Sequence, residues 1–236
     1  MGGRGGWGAG RGDHSEGCSA IAPPAARRGA HMNGAAGTAL WRLGATELAE
    51  AIRTKQASSR EVIEAHLRRI EAVNASINAV VIVLHEQALD AATAADRAVA
   101  ACADHPPFHG VPFTVKENID FAGTPTTQGF RTLANAYPSR DAPIVERLKA
   151  AGGIPIGRTN LPSGGTARAN CGERRSGTGP TGSRDRHRYE SVGSGNDGLG
   201  SLRHPAQCCG VSALKPTLGR IPHASSIEPA DVGTMA

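Results

Sequence analysis

The spacing of apolar residues predicts two consecutive helices after residue 45. Thr46 can cap a helix that runs to Lys55, because apolar residues recur on one face of that stretch. Ser58 and Glu61 have the spacing of a capping box, in which each side chain accepts a hydrogen bond from the other residue's backbone N–H. The apolar residues that follow recur every three or four positions, which is typical of an amphipathic helix.

The chain then alternates between β-branched runs and helical patterns. Strands are predicted at residues 79–84, 108–117 and 153–157, helices at 86–101 and 142–151, and a loop at 123–129. We expect residues 79–84 to form a buried strand, and a further strand to lie around Arg220 and Ile221. Because helices and strands alternate, the predicted fold class is α/β, with a mixed β-sheet flanked by helices.

Two segments have no apolar periodicity. Residues 1–31 are rich in Gly and Arg, and residues 163–194 in Gly, Arg and Ser. Both carry too little apolar surface to offset the entropy of ordering. We therefore expect 1–31 to be disordered, with Met1 or Met32 as the true start, and 163–194 to be irregular. These segments leave two ordered regions, at residues 32–162 and 195–236.

Composition limits the cellular compartments and the classes of partner that are expected for this chain. The 236-residue chain has a formal net charge of +5, and much of the excess comes from arginines in the two Gly-rich segments. Its five cysteines show neither CxxC spacing nor histidine partners at zinc-finger spacing, so a reduced, cytoplasmic protein is expected. No apolar run is long enough to span a bilayer, and the N-terminus lacks the apolar core of a secretion signal. We expect no membrane partner.

Two places carry candidate chemistry. Lys116 ends the predicted strand at 108–117, where partial desolvation would favour its neutral form and make it a usable general base. The alternative is a solvated lysine that pairs with Glu117, and the spacing alone favours this alternative. A Gly-rich turn before Ser201 can expose the serine hydroxyl and direct backbone N–H groups at an oxyanion. Taken alone, that turn is equally a phosphate-binding loop or a surface turn, and the surface turn is preferred.

Four stretches, taken together, resemble the consecutive motifs of the amidase signature family. They are HGVPFTVKEN, GTPTTQG, DAPIVERLKAAGGIPIGRTN and GNDGLGSLRHPAQCCGVSALKPTLGR. The resemblance covers roughly residues 40–162 and 195–229, and several long motifs in the right order are highly specific. It implies an incomplete amidase-signature-type fold, because the chain lacks the C-terminal half that completes the family's sheet.

The resemblance also implies a function and a set of roles. The family hydrolyses carboxamides to a carboxylic acid and ammonia or an amine through a serine acyl-enzyme. Lys116 matches the family's lysine base and Ser201 its nucleophile, and the backbone at Gly198, Leu199 and Gly200 would form the oxyanion hole. The resemblance implies a small-molecule amide as substrate and no cofactor or metal, and it leaves the oligomeric state open.

The sequence departs from the family pattern in ways that predict impaired activity. It lacks the Gly-Gly-Ser-Ser-Gly-Gly loop whose serine relays the proton, and Ser194 and Ser183 are only poor stand-ins. Leu199 stands where the family has a glycine that allows unusual backbone dihedrals. The interval from Lys116 to Ser201 is also shorter than the family's.

A frameshift explains the missing loop. When residues 163–176 are back-translated with permitted codons and read one frame over, the result is close to what the family carries after its Asn-Leu-Pro. We therefore interpret residues 163–194 as a frameshifted segment.

A different class of function stays open. The Gly/Arg-rich segments are typical of nucleic-acid-binding proteins, but Trp7 and Tyr189 are the only aromatic residues there that can stack on bases, so we expect no nucleic-acid partner. A third possibility is a non-catalytic subunit, because the family includes the glutaminase-like subunit of a tRNA-dependent amidotransferase.

Overall fold

The computed structural model describes residues 40–101, 105–161, 189–198 and 200–222. Within these ranges, the helices are α1 (Ala45–Arg53), α2 (Ser59–Ile77), α3 (His85–Ala100), α4 (Pro143–Ala150) and α5 (Arg203–Cys209). The strands are β1 (Val80–Val83), β2 (Pro112–Lys116), β3 (Ile154–Thr159) and β4 (Val192–Ser194). Short 3₁₀-helices lie at Leu40–Arg42 and Arg131–Leu133. The α/β class predicted from the alternation is confirmed.

The four strands form one mixed sheet in the order β1-β3-β2-β4. β1 is antiparallel to β3, whereas β2 is parallel to both β3 and β4. A Cβ atom at Gly157 of β3 would lie 2.8 Å from a methyl carbon of Val80, so the close approach of β1 to β3 requires glycine at this position. β2 and β3 each have a strand on both sides, and all five residues of β2 are buried.

The starts of the first two helices test the capping predictions. Ser58 is the N-cap of α2 as predicted, and the capping box is confirmed: its hydroxyl accepts from the N–H of Glu61, whose carboxylate accepts from the N–H of Ser58. The prediction that Thr46 caps α1 is wrong, because the N-cap is Gly44. The Glu47 carboxylate accepts a hydrogen bond from the Gly44 N–H at 2.7 Å, which fixes the helix start earlier.

Apolar side chains pack on both faces of the sheet. On one face, α2 and α3 cover β3 through a cluster that includes Ile63, Ile70, Ala88 and Ile156. On the other face, α4 packs against β2 through a cluster that includes Phe113, Val115, Phe121 and Val145. Burial of the isoleucine, valine and phenylalanine side chains in these clusters stabilises the fold by about 1.5–3 kcal/mol each. In the described part of the chain, no helix combines the length and apolar character that crossing a membrane requires.

Three predictions about strands need correction. β1 is not fully buried: Val81 is 44% and Val83 42% exposed, because β1 is the edge strand and its β-branched run reflects local preference rather than burial. No strand forms at Arg220 and Ile221, where the Arg220 N–H closes a turn on the carbonyl of Thr217. β4 lies at the end of a segment expected to be irregular, because its three residues pair in parallel register with β2.

The structure does not test the other predictions about the two segments without apolar periodicity. Residues 1–31, and residues 163–188 of the second segment, lie outside the described residues.

Candidate active site

Lys116 lies at the carboxyl end of β2, buried to 4% exposure. Strand alternation directs its side chain away from the face on which Val115 packs against α4. The Lys116 Nζ donates a hydrogen bond of 2.7 Å to the Oδ1 of Asn196. The lysine is therefore neither solvated nor paired with Glu117, whose carboxylate instead accepts from the N–H of Thr127.

The protonation of Lys116 follows from its burial. Removal from water disfavours the ammonium form and lowers the pKa of Lys116 to about 8, while the negative charge of Asp197 opposes this shift in part. A lysine with such a pKa is neutral in a substantial fraction of molecules near physiological pH. It can therefore accept a proton without a preceding deprotonation by another group.

Arg158 fixes the backbone that leaves Lys116. This arginine of β3 is fully buried, and its Nη2 donates to the carbonyls of Glu117 and Ile119, each at 2.7 Å. Its Nη1 donates to the hydroxyl of Thr124. Burial lowers the pKa of Arg158 to about 10, which leaves the guanidinium charged at neutral pH. One buried cation thus holds the chain direction just after the candidate base.

Asp197 organises the turn that carries Ser201. Its buried carboxylate accepts from the N–H groups of Gly200, Leu202 and Arg203 at 2.6, 3.2 and 3.1 Å. The Arg203 side chain donates two more hydrogen bonds, from Nε at 2.9 Å and from Nη2 at 3.1 Å. The Arg203 guanidinium and these N–H groups hold the pKa of Asp197 well below its usual range. The carboxylate therefore satisfies two N–H groups of the turn before α5 and that of the first residue of α5, Arg203.

Ser201 is partly buried and lies two residues before α5. Gly200, which precedes it, has a φ of +110°, a conformation that strains any residue with a Cβ. Asn196 binds Lys116, and Asp197, the next residue, holds the Ser201 turn. The structure thus brings the lysine and the serine turn to the same end of β2. Among the described residues, no direct hydrogen bond joins Ser201 to Lys116.

Ser194 is not brought to Lys116. It lies in register with Val115, one residue before Lys116, so its side chain points to the opposite face of the sheet. Its hydroxyl is buried and has no hydrogen-bond partner among the described residues. The relay role of Ser194 stays a prediction without a contact behind it.

The predicted oxyanion donors have different surroundings. Gly198 is exposed, and Leu199 lies outside the described residues. The N–H of Gly200 donates to Asp197 in this structure, so it would have to turn from that carboxylate to serve an oxyanion. The oxyanion hole therefore stays a prediction. Within the described ranges, no group of three or more His, Cys, Asp or Glu side chains is arranged to hold a metal ion.

Sequence reasoning missed the groups that hold the two candidates. Arg158 had a signal, because an arginine on a short strand between a core helix and a loop must find partners for its charge. Asp197 had none, because aspartate marks a helix start at the N-cap position, and the N-cap of α5 is Leu202. Asn196 had none, because its contact with Lys116 spans 80 positions.

Comparisons with known proteins identify similar chains. Residues 61–182 and 188–234 match the protein-family model described as Amidase. The chain is 40% identical over 200 residues to an indoleacetamide hydrolase of Bradyrhizobium diazoefficiens, covering 78% of this chain and 38% of that protein. It is 38% identical over 205 residues to an acylamidase of Rhodococcus erythropolis, covering 76% of this chain and 41% of that protein.

A solved structure supports the fold. A bacterial aryl acylamidase of the amidase signature family superposes with a TM-score of 0.67 at 24% identity, over 79% of this chain and 42% of that chain. The present chain thus spans about two fifths of the length of its curated relatives. The family match includes part of residues 163–194, and the frameshift interpretation stays a prediction.

Proposed function

Because this chain belongs to the amidase family, we propose that its function is the hydrolysis of carboxamides through a serine acyl-enzyme, with Ser201 as nucleophile and Lys116 as base. The class of substrate is supported by the names of its relatives, an indoleacetamide hydrolase and an acylamidase.

The observation that carries the proposal is the buried amine of Lys116, with a pKa of about 8, at the carboxyl end of β2. The Ser201 turn follows the neighbouring parallel strand β4, and Asn196 at its start binds this amine. In the proposed reaction the Ser201 oxygen bonds to the amide carbon while its proton passes to Lys116 through one bridging hydroxyl or water. The C–N bond then breaks, and the proton leaves with the amine. Water hydrolyses the resulting ester and frees the carboxylic acid.

We also propose that this chain performs the reaction poorly. No hydrogen bond links Ser201 to Lys116 among the described residues, and Ser194 points to the other face of the sheet. Leu199 stands where the family pattern has glycine, beside the N–H groups assigned to the oxyanion. Loss of one oxyanion donor typically lowers the rate by about a hundredfold to a thousandfold. Loss of the relay adds to that defect.

Ammonia release from a panel of aliphatic and aryl amides tests both statements. We expect the native chain to release no more ammonia than its Ser201→Ala variant. A repaired chain, with a relative's sequence in place of residues 163–194 and continued to that relative's C-terminus, should hydrolyse amides. Ser201→Ala should abolish that activity, and Ser212→Ala, at an exposed serine, should retain it.

The two statements fail separately in this assay. Turnover by the native chain that disappears in Ser201→Ala would show that the chain is not impaired. Turnover by the repaired chain that survives Ser201→Ala would show that Ser201 is not the nucleophile.

A further inference from the structure

Two neighbouring residues, Asn196 and Asp197, bind different parts of the candidate site. Asn196 presents its amide oxygen to the Lys116 amine at 2.7 Å. Asp197 directs its carboxylate the other way, onto three N–H groups of the Ser201 turn and the Arg203 side chain. The neutral acceptor thus faces the lysine, and the charged acceptor faces the turn.

We propose that Asn196 is a positioning residue for Lys116. The amide oxygen of Asn196 fixes the Lys116 amine through a hydrogen bond that adds no negative charge. A carboxylate at the same place would hold the amine equally well in space. It would also stabilise the ammonium form and so remove the base at neutral pH. Asparagine orients the amine as a carboxylate would, but it has no charge that would stabilise the ammonium form, so the amine can still lose its proton.

The charges around Lys116 fit this division. Asp197 is the carboxylate whose charge acts on the lysine, and this charge shifts the pKa of Lys116 less than burial does. On the β2 side, the Glu117 carboxylate accepts from Thr127 instead. Burial raises the pKa of Glu190, which precedes β4, to about 8, so this group is largely neutral at physiological pH.

The buried guanidinium of Arg158 on β3 faces the backbone carbonyls after Lys116 rather than its amine. Desolvation therefore dominates the protonation of Lys116, and Asn196 is the group that holds its amine in place.

The inference rests on the proposed function only for the role of Lys116 as base, and its test does not need turnover. The chain has four lysines, so the full-length protein with ¹³C at lysine Cε gives four signals, and Lys116→Arg identifies one of them. The pKa of Lys116 is read from its shift against pH. Asn196→Asp, which keeps the size of the side chain, should raise this pKa by about one unit or more. That change lowers the ratio of neutral to charged lysine about tenfold at a given pH.

Asn196→Leu tests the opposite direction. Loss of the acceptor removes a partner that the ammonium form uses more strongly than the neutral form, so the pKa of Lys116 should fall below its native value. Asn135→Asp makes the same charge change at an exposed position and should leave that pKa unchanged. A purely structural role for Asn196 would move stability in both variants without this opposite pair of shifts.

Several results would overturn the inference. One is an unchanged Lys116 pKa in Asn196→Asp. Another is a shift of the Lys116 pKa in the same direction in Asn196→Asp and Asn196→Leu. A third is unfolding of both variants, because a residue that only positions the amine is not required for the fold. The expected shifts in a repaired chain without hydrolysis would refute the proposed function alone. Hydrolysis that depends on Ser201, with an unresponsive Lys116, would refute the inference alone.

Discussion

The two halves of the candidate site are held in place by different means. The lysine half consists of Lys116 and Arg158, on strands that have neighbours in the sheet. The serine half consists of the turn from Asp197 to Arg203, which carries Ser201 and depends on one carboxylate. In the lysine half a cation binds backbone carbonyls, whereas in the serine half an anion binds backbone N–H groups.

In the lysine half, the protonation state that the proposed function needs lowers the stability of the fold. Burial of the Lys116 amine disfavours its charged form, so this residue makes the fold less stable near neutral pH. Asp197 does the reverse, because its hydrogen bonds favour the charged form that exists at neutral pH. Substitutions of Lys116 and of Asp197 should therefore change stability in opposite directions.

Arg158→Met should produce the largest effect. It leaves the carbonyls of Glu117 and Ile119 without their buried donor and removes the cation that nearby carboxylates face. We expect the free energy of unfolding to fall by about 3–5 kcal/mol, measured by urea denaturation. Arg147→Met, at an exposed position of α4, is the matched control and should change it by less than about 0.5 kcal/mol. Equal effects of the two substitutions would show that Arg158 does not anchor the lysine half.

Lys116→Met should stabilise the chain. The pKa of Lys116 is about 8 in the folded chain and about 10.4 in the unfolded chain, so this residue lowers the free energy of unfolding by its full amount below pH 8. The penalty disappears as pH rises through this window, because the unfolded state then binds more protons. After allowance for the lost bond to Asn196, we expect a gain of about 1–3 kcal/mol at pH 7.

The pH profile separates this account from simple packing. The free energy of unfolding of the native chain should rise between pH 8 and about 10.4, and Lys116→Met should lack that rise. Lys55→Met, at an exposed lysine, should retain it. If Lys116→Met destabilises the chain at pH 7, the lysine half does not carry the cost described here.

The parts of the fold that sequence reasoning predicted are those fixed by local spacing. The capping box at Ser58 and Glu61 is determined within four residues, and the alternation of strands and helices within ten to twenty. The exposure of Val81 and Val83 was not predictable in this way, since it depends on which strand lies at the edge of the sheet. Local preference makes β1 a strand, whereas topology decides how much of it is buried.

The site shows the same limit. The position of Lys116 at a strand end indicated its desolvation, but the partner expected from spacing, Glu117, binds elsewhere. The true contact, with Asn196, spans 80 positions and joins two elements whose proximity only the folded sheet establishes. The turn before Ser201 was visible as a run of glycines. Nothing in the sequence distinguishes Asp197, whose carboxylate holds this turn, from an aspartate on the surface.

Asp197→Asn should have the smallest effect on stability and the most local one. It keeps the shape of the side chain but weakens the hydrogen bonds from Gly200, Leu202 and Arg203. The Arg203 side chain is 54% exposed, so water replaces much of that ion pair. We expect a loss of about 1–2 kcal/mol at pH 7.

The loss should shrink as pH falls below about 4, because the low pKa of Asp197 stabilises the fold only while its carboxylate is charged in both states. Amide hydrogen exchange supplies the decisive reading, with Asp90→Asn, at an exposed position of α3, as control. Exchange in Asp197→Asn should accelerate at residues 200–203 and stay slow in β2, which has a strand on each side. Acceleration that extends equally into β2 would mean that the serine turn and the lysine strand open as one unit, and that the two halves are not held independently.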